Sequence, residues 1–151
     1  MSDALGRLAN PVVFGILDGL TTLLGVLLSE ARYPGLILHT AIAVSVAGAV
    51  GMGFGQWLSS AEGHLLRVAK ALAIGASTAC GSILPALPYA ALPLGWARPA
   101  SAAIFLALGC LISLVRAGEC GFKRSAAETF GAMAAVFIAV YASQLLTPGG
   151  M

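Results

Sequence analysis

The stretch Phe14-Gly-Ile-Leu-Asp18-Gly-Leu-Thr-Thr22-Leu-Leu-Gly25 places one carboxylate in the middle of a long apolar run. The run covers residues 11–29, close to the about 20 residues that a helix needs to cross the core of a bilayer. An ionised group at that depth costs roughly 2.5–3.5 kcal/mol on insertion scales, so Asp18 should face protein or a wet cavity. We interpret Asp18 as functional; the alternative is a carboxylate that hydrogen-bonds a threonine on a neighbouring helix.

Small residues surround this carboxylate and recur in a second apolar run. Gly15 and Gly19 are four residues apart, and Gly51 and Gly55 repeat the same spacing. Glycines at this spacing form a flat strip that lets another transmembrane helix approach closely. We therefore predict that these four glycines pack helices together and form a homodimer through the first span, with or without the second.

The composition assigns the chain to the integral membrane proteins. Of its 151 residues 59% are hydrophobic and 9% are charged, and the mean hydropathy is +0.95. A soluble domain has about 25% charged residues. A net charge of +2 without a basic run argues against nucleic acid as a partner. The pattern contains no nucleophile–base pair and no phosphate-binding loop, so we expect neither an enzyme nor a resident cofactor.

We predict an all-α protein in which residues 1–151 form one transmembrane domain of five helices. The predicted spans are residues 11–29, 36–59, 66–87, 100–115 and 126–146. Pro85 and Pro88 should break the third helix, because two prolines so close together leave backbone carbonyls without partners.

Basic residues set the predicted orientation, because loops rich in lysine and arginine stay in the cytoplasm. One side holds Arg7, Arg67, Lys70, Arg116, Lys123 and Arg124; the other holds Arg32 and Arg98. Six against two predicts a cytoplasmic N-terminus and, with five spans, an outer C-terminus. The compact Ala- and Gly-rich chain suggests a bacterial inner (plasma) membrane, with lipid as its surroundings.

Four further polar residues are candidates for the entrance or the path of an ion. Gln56 lies four residues after Met52 and therefore shares its helix face; helix packing is the alternative role. Glu62 and His64 lie in the corner after the second span, where they either gather cations or form a solvated turn. Glu128 completes the capping-box spacing Ser125-x-x-Glu128, which is the alternative to a role in the path.

Three stretches together resemble the vacuolar iron transporter family. They are Asp18-Gly-Leu-Thr21, Ala47-Gly-Ala-Val-Gly-Met-Gly53 and Pro85-Ala-Leu-Pro-Tyr89. The resemblance implies a homodimer that moves Fe²⁺ or Mn²⁺ out of the cytosol, in exchange for protons, along a path between the protomers. It assigns Asp18 and Met52 to that path as metal ligands, with the metal as the transported substrate.

Two features depart from the family pattern. Iron-transporting members carry a glutamate-rich hairpin between the second and third spans, where this chain has only Ser60–His64. The short, nodulin-like members also lack that hairpin. Family glutamates in the second span correspond to the positions of Val44 and Gln56. The alternative function is therefore a membrane interaction module of the same fold that does not transport.

Overall fold

The computed structural model describes residues 2–29 and 33–146, and there the chain is helical without any strand. The helices are α1 (Ser2–Ser29), α2 (Pro34–Ser59), α3 (His64–Ala86), α4 (Pro88–Ala91), α5 (Leu94–Cys120) and α6 (Phe122–Leu146). Arg32, one of the two basic residues predicted on the outer side, lies outside the described residues. The prediction of an all-α protein is confirmed.

Five helical stretches are long and apolar enough to cross a membrane. They are Leu8–Ser29, Gly35–Ser59, His64–Ala91, Leu94–Gly118 and Phe122–Leu146. Large apolar side chains such as Phe54, Leu72 and Ile138 remain exposed on the outside of the bundle. Surfaces of this kind are stable against lipid, which lacks the water that would penalise them. The prediction of five spans is confirmed.

The last two spans begin earlier than predicted. The fourth span was predicted to begin at residue 100, but α5 starts at Leu94 and includes Pro99. A proline is tolerated here because it removes only one backbone hydrogen bond, near the start of the helix. The final span begins at Phe122, directly after Gly121, whose φ of 81° suits a residue without a side chain. The capping-box prediction is wrong, because Ser125 lies inside α6 and is fully buried.

The two prolines of the third span lie where the helix ends and the next begins. Pro85 is inside α3, which ends at Ala86, and Pro88 is the first residue of α4. Leu87 between them keeps helical dihedrals of −55° and −37°. The interruption is therefore shallow, and α3 and α4 together form one span.

Helices α1, α2 and α3 pack closely because glycines line their contacts. A β carbon at Gly19 would lie 2.8 Å from the Ser82 backbone nitrogen and closer still to the Thr78 carbonyl oxygen. One at Gly75 would lie 2.7 Å from the Ala49 carbonyl oxygen. Such close approach of backbones is what small residues permit in membranes. The register of these contacts makes α3 parallel to α1 and antiparallel to α2.

Helices α5 and α6 form an antiparallel hairpin beside α1. Gly109 of α5 faces the ring of Phe130 of α6, and Arg116 reaches Glu128 nearer the turn. Helix α6 is the most exposed of the five spans, with 6% of its apolar window buried. We use the term basic end for the end of the bundle that holds the α2–α3 and α5–α6 connections.

Candidate ion pathway

A groove of about 440 Å³ lies among α1, α2 and α3 towards the basic end. Its lining residues are Asn10, Pro11, Phe14, Gly51, Met52, Gly55, Gln56, Ser59, Lys70 and Ile74. The helices position these residues by their periodicity: Asn10 and Phe14 are one turn apart on α1, and Met52 and Gln56 are one turn apart on α2. The groove thus brings the predicted ligand Met52 and the candidate Gln56 together.

Asp18 lies one turn beyond Phe14 on the same face of α1, just past the residues that line the groove. Its side chain is half-buried. The hydroxyl of Thr21 donates to the backbone carbonyl of Asp18 at 3.0 Å, not to its carboxylate. No described residue donates a hydrogen bond to the carboxylate or forms an ion pair with it. The alternative role of Asp18, a hydrogen bond between its carboxylate and a threonine, is therefore not seen in this structure.

Asp18 and Met52 occupy neighbouring levels of the bundle. The helix contacts pair Gly19 with Thr78, and Thr78 in turn with Gly48. Asp18 therefore lies near the level of Gly48, and Met52 lies one turn of α2 closer to the basic end. A turn corresponds to about 5 Å along the axis. The two residues thus lie about one helical turn apart along the bundle axis.

A single chain offers few metal ligands at this place. Among the side chains that the structure describes, no three His, Cys, Asp or Glu residues come close enough to hold a metal ion together. The arrangement in one chain is thus one carboxylate, one thioether and the amide of Gln56. That amide donates to the Ser60 hydroxyl at 2.7 Å, which ties it to the end of α2.

Lys70 is the charged residue of the groove, and sequence reasoning missed it as part of the site. Its ammonium group donates to the Glu62 carboxylate at 2.6 Å, so Glu62 reaches the groove through this ion pair. Lys70 was counted only for orientation. Its spacing to Ile74 and Thr78 on α3 was the available signal, because residues four apart share one helix face and both neighbours are buried.

The two remaining candidates lie away from the groove lining. His64 is exposed and meets the ring of Trp57 edge-on, with centroids 5.4 Å apart. Glu128 accepts hydrogen bonds from Arg116 at 2.7 Å and from Arg124 at 2.9 Å. It therefore bridges α5 and α6 as part of an ion-pair cluster.

The four glycines fall into two groups. Gly15 and Gly19 are buried against α3 of the same chain. In this structure both glycines pack helices within the chain, and a dimer contact through the first span stays a prediction. A β carbon at Gly51 or Gly55 would meet nothing within 4 Å. This open strip borders the groove.

The comparison with protein families concerns the first two spans. The model of the VIT family matches residues 9–67, a stretch that includes Asp18, Met52, Gln56 and Glu62. The comparisons with curated proteins and with solved structures gave no match. The family suggests a metal ion transporter. Over residues 9–67 the chain is similar to the VIT family, and this similarity supports the resemblance to the vacuolar iron transporters.

Proposed function

We propose that the chain exports a divalent metal cation, Fe²⁺ or Mn²⁺, from the cytosol. The observation that carries this proposal is the half-buried carboxylate of Asp18 in the middle of α1, which has no partner among the described side chains. An intramembrane carboxylate without a protein partner is costly unless a cation or a proton neutralises it. Met52 at the adjoining level adds a soft thioether, which suits Fe²⁺ better than Mg²⁺ or Ca²⁺.

The path is proposed to lie between two copies of the chain. One carboxylate neutralises half of a divalent charge, so a second Asp18 across a two-fold axis completes the balance. Two carboxylates held close together also favour binding one proton when the metal leaves. This competition provides the coupling to protons. The open strip of Gly51 and Gly55 is the surface that supports a second copy beside the groove.

The dimer contact predicts a selective effect at Gly51. Gly51→Leu should yield folded monomers, because the added side chain enters the space that the partner helix requires. The matched control is Gly131→Leu on α6, where a β carbon also meets nothing within 4 Å. The mass of the protein in mild detergent, measured by light scattering, distinguishes the two. If Gly51→Leu remains a dimer, or if Gly131→Leu becomes a monomer, the dimer interface is not the one proposed here.

The basic end is proposed to face the cytosol, following the distribution of arginine and lysine. The groove then opens towards the compartment from which metal is exported. At its mouth the charge of Lys70 opposes cation entry, and its ion pair with Glu62 offsets that charge. Glu62 is therefore assigned a part in the entrance.

Removing this compensation should slow metal uptake. Glu62→Gln leaves the Lys70 charge unpaired, and about 1 kcal/mol of repulsion towards a divalent ion lowers the rate roughly fivefold. The double variant Glu62→Gln with Lys70→Gln should restore the rate, and the loss should shrink at high salt. Initial flux in vesicles is the measurement. Equal rates for all three proteins would show that ions do not enter by this groove.

One observation favours the second candidate, a membrane interaction module that does not transport. The groove holds a lysine, and the family's additional carboxylates are absent from positions 44 and 56. Flux through the unmodified protein in reconstituted vesicles tests the choice. We expect Fe²⁺ and Mn²⁺ to cross, and Mg²⁺ and Ca²⁺ to be excluded. If no divalent ion crosses the vesicle membrane, the interaction module is the correct function.

A further inference from the structure

A second groove lies on the other side of α2 and differs in character from the first. It has a volume of about 370 Å³ and is lined by Ala49, Val50, Gly53, Phe54, Trp57, Ala71, Leu72, Gly75 and Ala76. All of these side chains are apolar apart from the indole nitrogen of Trp57. Small residues form its floor because α2 and α3 touch there through Gly53 and Gly75. The groove follows α2 for about two turns, or roughly 12 Å.

A fixed cation marks the end of this groove. The guanidinium of Arg67 lies over the ring of Trp57, 4.6 Å from its centroid. Its Nε atom donates to the backbone carbonyl of Trp57. The plane of the guanidinium is thus held at the basic end of the groove, and neither Nη group donates a hydrogen bond to another described side chain. Trp57 itself is of the type that anchors at the membrane interface.

The charge of Arg67 is not balanced within the described part of the chain. At the same end, Lys70 pairs with Glu62, and Arg116 and Arg124 pair with Glu128. Arg67 forms an ion pair with none of the described carboxylates. A fixed guanidinium with free donors is suited to the oxygens of a phosphate.

We propose that this second groove binds an anionic phospholipid of the leaflet at the basic end. One acyl chain lies between α2 and α3, and the phosphate accepts hydrogen bonds from the Nη groups of Arg67. A lipid fits better than a second copy of the chain, because the apolar groove matches an acyl chain and the cation at its basic end matches a phosphate headgroup. The groove also lies on the opposite side of α2 from the Gly51 strip. The proposal does not depend on transport.

The test is lipid binding to the detergent-purified full chain, measured by native mass spectrometry with phosphatidylglycerol and with phosphatidylcholine. We expect the unmodified protein to bind phosphatidylglycerol more tightly. Arg67→Gln should weaken that binding roughly tenfold, the effect of losing a charge-assisted hydrogen bond. Lys123→Gln, which removes an exposed charge near the same end, is the control and should bind as before.

A second variant addresses the acyl chain without touching the cation. Ala76→Phe adds a ring at an exposed position of the groove wall and should also weaken phosphatidylglycerol binding. Melting temperatures in lipid-free detergent establish that each variant is folded. Equal binding of the two lipids, or unchanged phosphatidylglycerol binding by folded Arg67→Gln or Ala76→Phe, would overturn the proposal.

Discussion

Asp18→Asn is expected to reduce metal flux by at least about a hundredfold. Asparagine keeps the shape of the side chain but removes the charge that offsets a divalent ion in a medium of low dielectric. Leaving a buried charge without its partner costs roughly 3 kcal/mol or more, and about 2.8 kcal/mol corresponds to a hundredfold change. The measurement is initial Fe²⁺ and Mn²⁺ flux into vesicles at matched protein density.

Glu128→Gln is the matched control for this substitution. It makes the same change from carboxylate to amide, but at a residue that pairs with Arg116 and Arg124 between α5 and α6. Exposed ion pairs contribute little to stability, so this variant should fold and transport. Normal metal flux through the Asp18→Asn variant would show that Asp18 has only a packing role. Lost flux in Glu128→Gln would place the path between α5 and α6.

Gly19→Leu is expected to prevent the protein from reaching its folded state. The new side chain would collide with the backbone of α3 at Thr78 and Ser82. Overpacking against side chains typically costs about 1–3 kcal/mol. The cost here should exceed that range, because backbone atoms of a helix cannot rotate away.

The yield of monodisperse protein after detergent extraction, and its melting temperature, measure this effect. Gly51→Leu is the control with the same substitution in the other glycine pair, where no atom of the chain lies within 4 Å of a β carbon. It should fold normally. A folded, monomeric Gly19→Leu protein would instead restore the first-span dimer that the glycine spacing suggested.

Sequence alone predicted the number of spans correctly, because burial in lipid depends on the apolar content of each segment and not on its neighbours. It was less accurate at the helix ends. The predicted fourth span began after Pro99, and Ser125 was interpreted as part of a capping box, although both residues lie inside helices. A local sequence pattern shows that a residue could cap or end a helix. It does not show whether a helix ends at that residue in the folded chain.

The sequence determined which chemical groups stand in the apolar runs: the carboxylate of Asp18, the thioether of Met52 and two pairs of glycines. Only the tertiary structure decided their neighbours. In the folded chain Gly19 is buried against α3, the space beside Gly51 is open, and Lys70 lines the groove. The physical reason is that glycine spacing creates the same flat strip for any helix that approaches it, so the partner is chosen by how all the helices pack together.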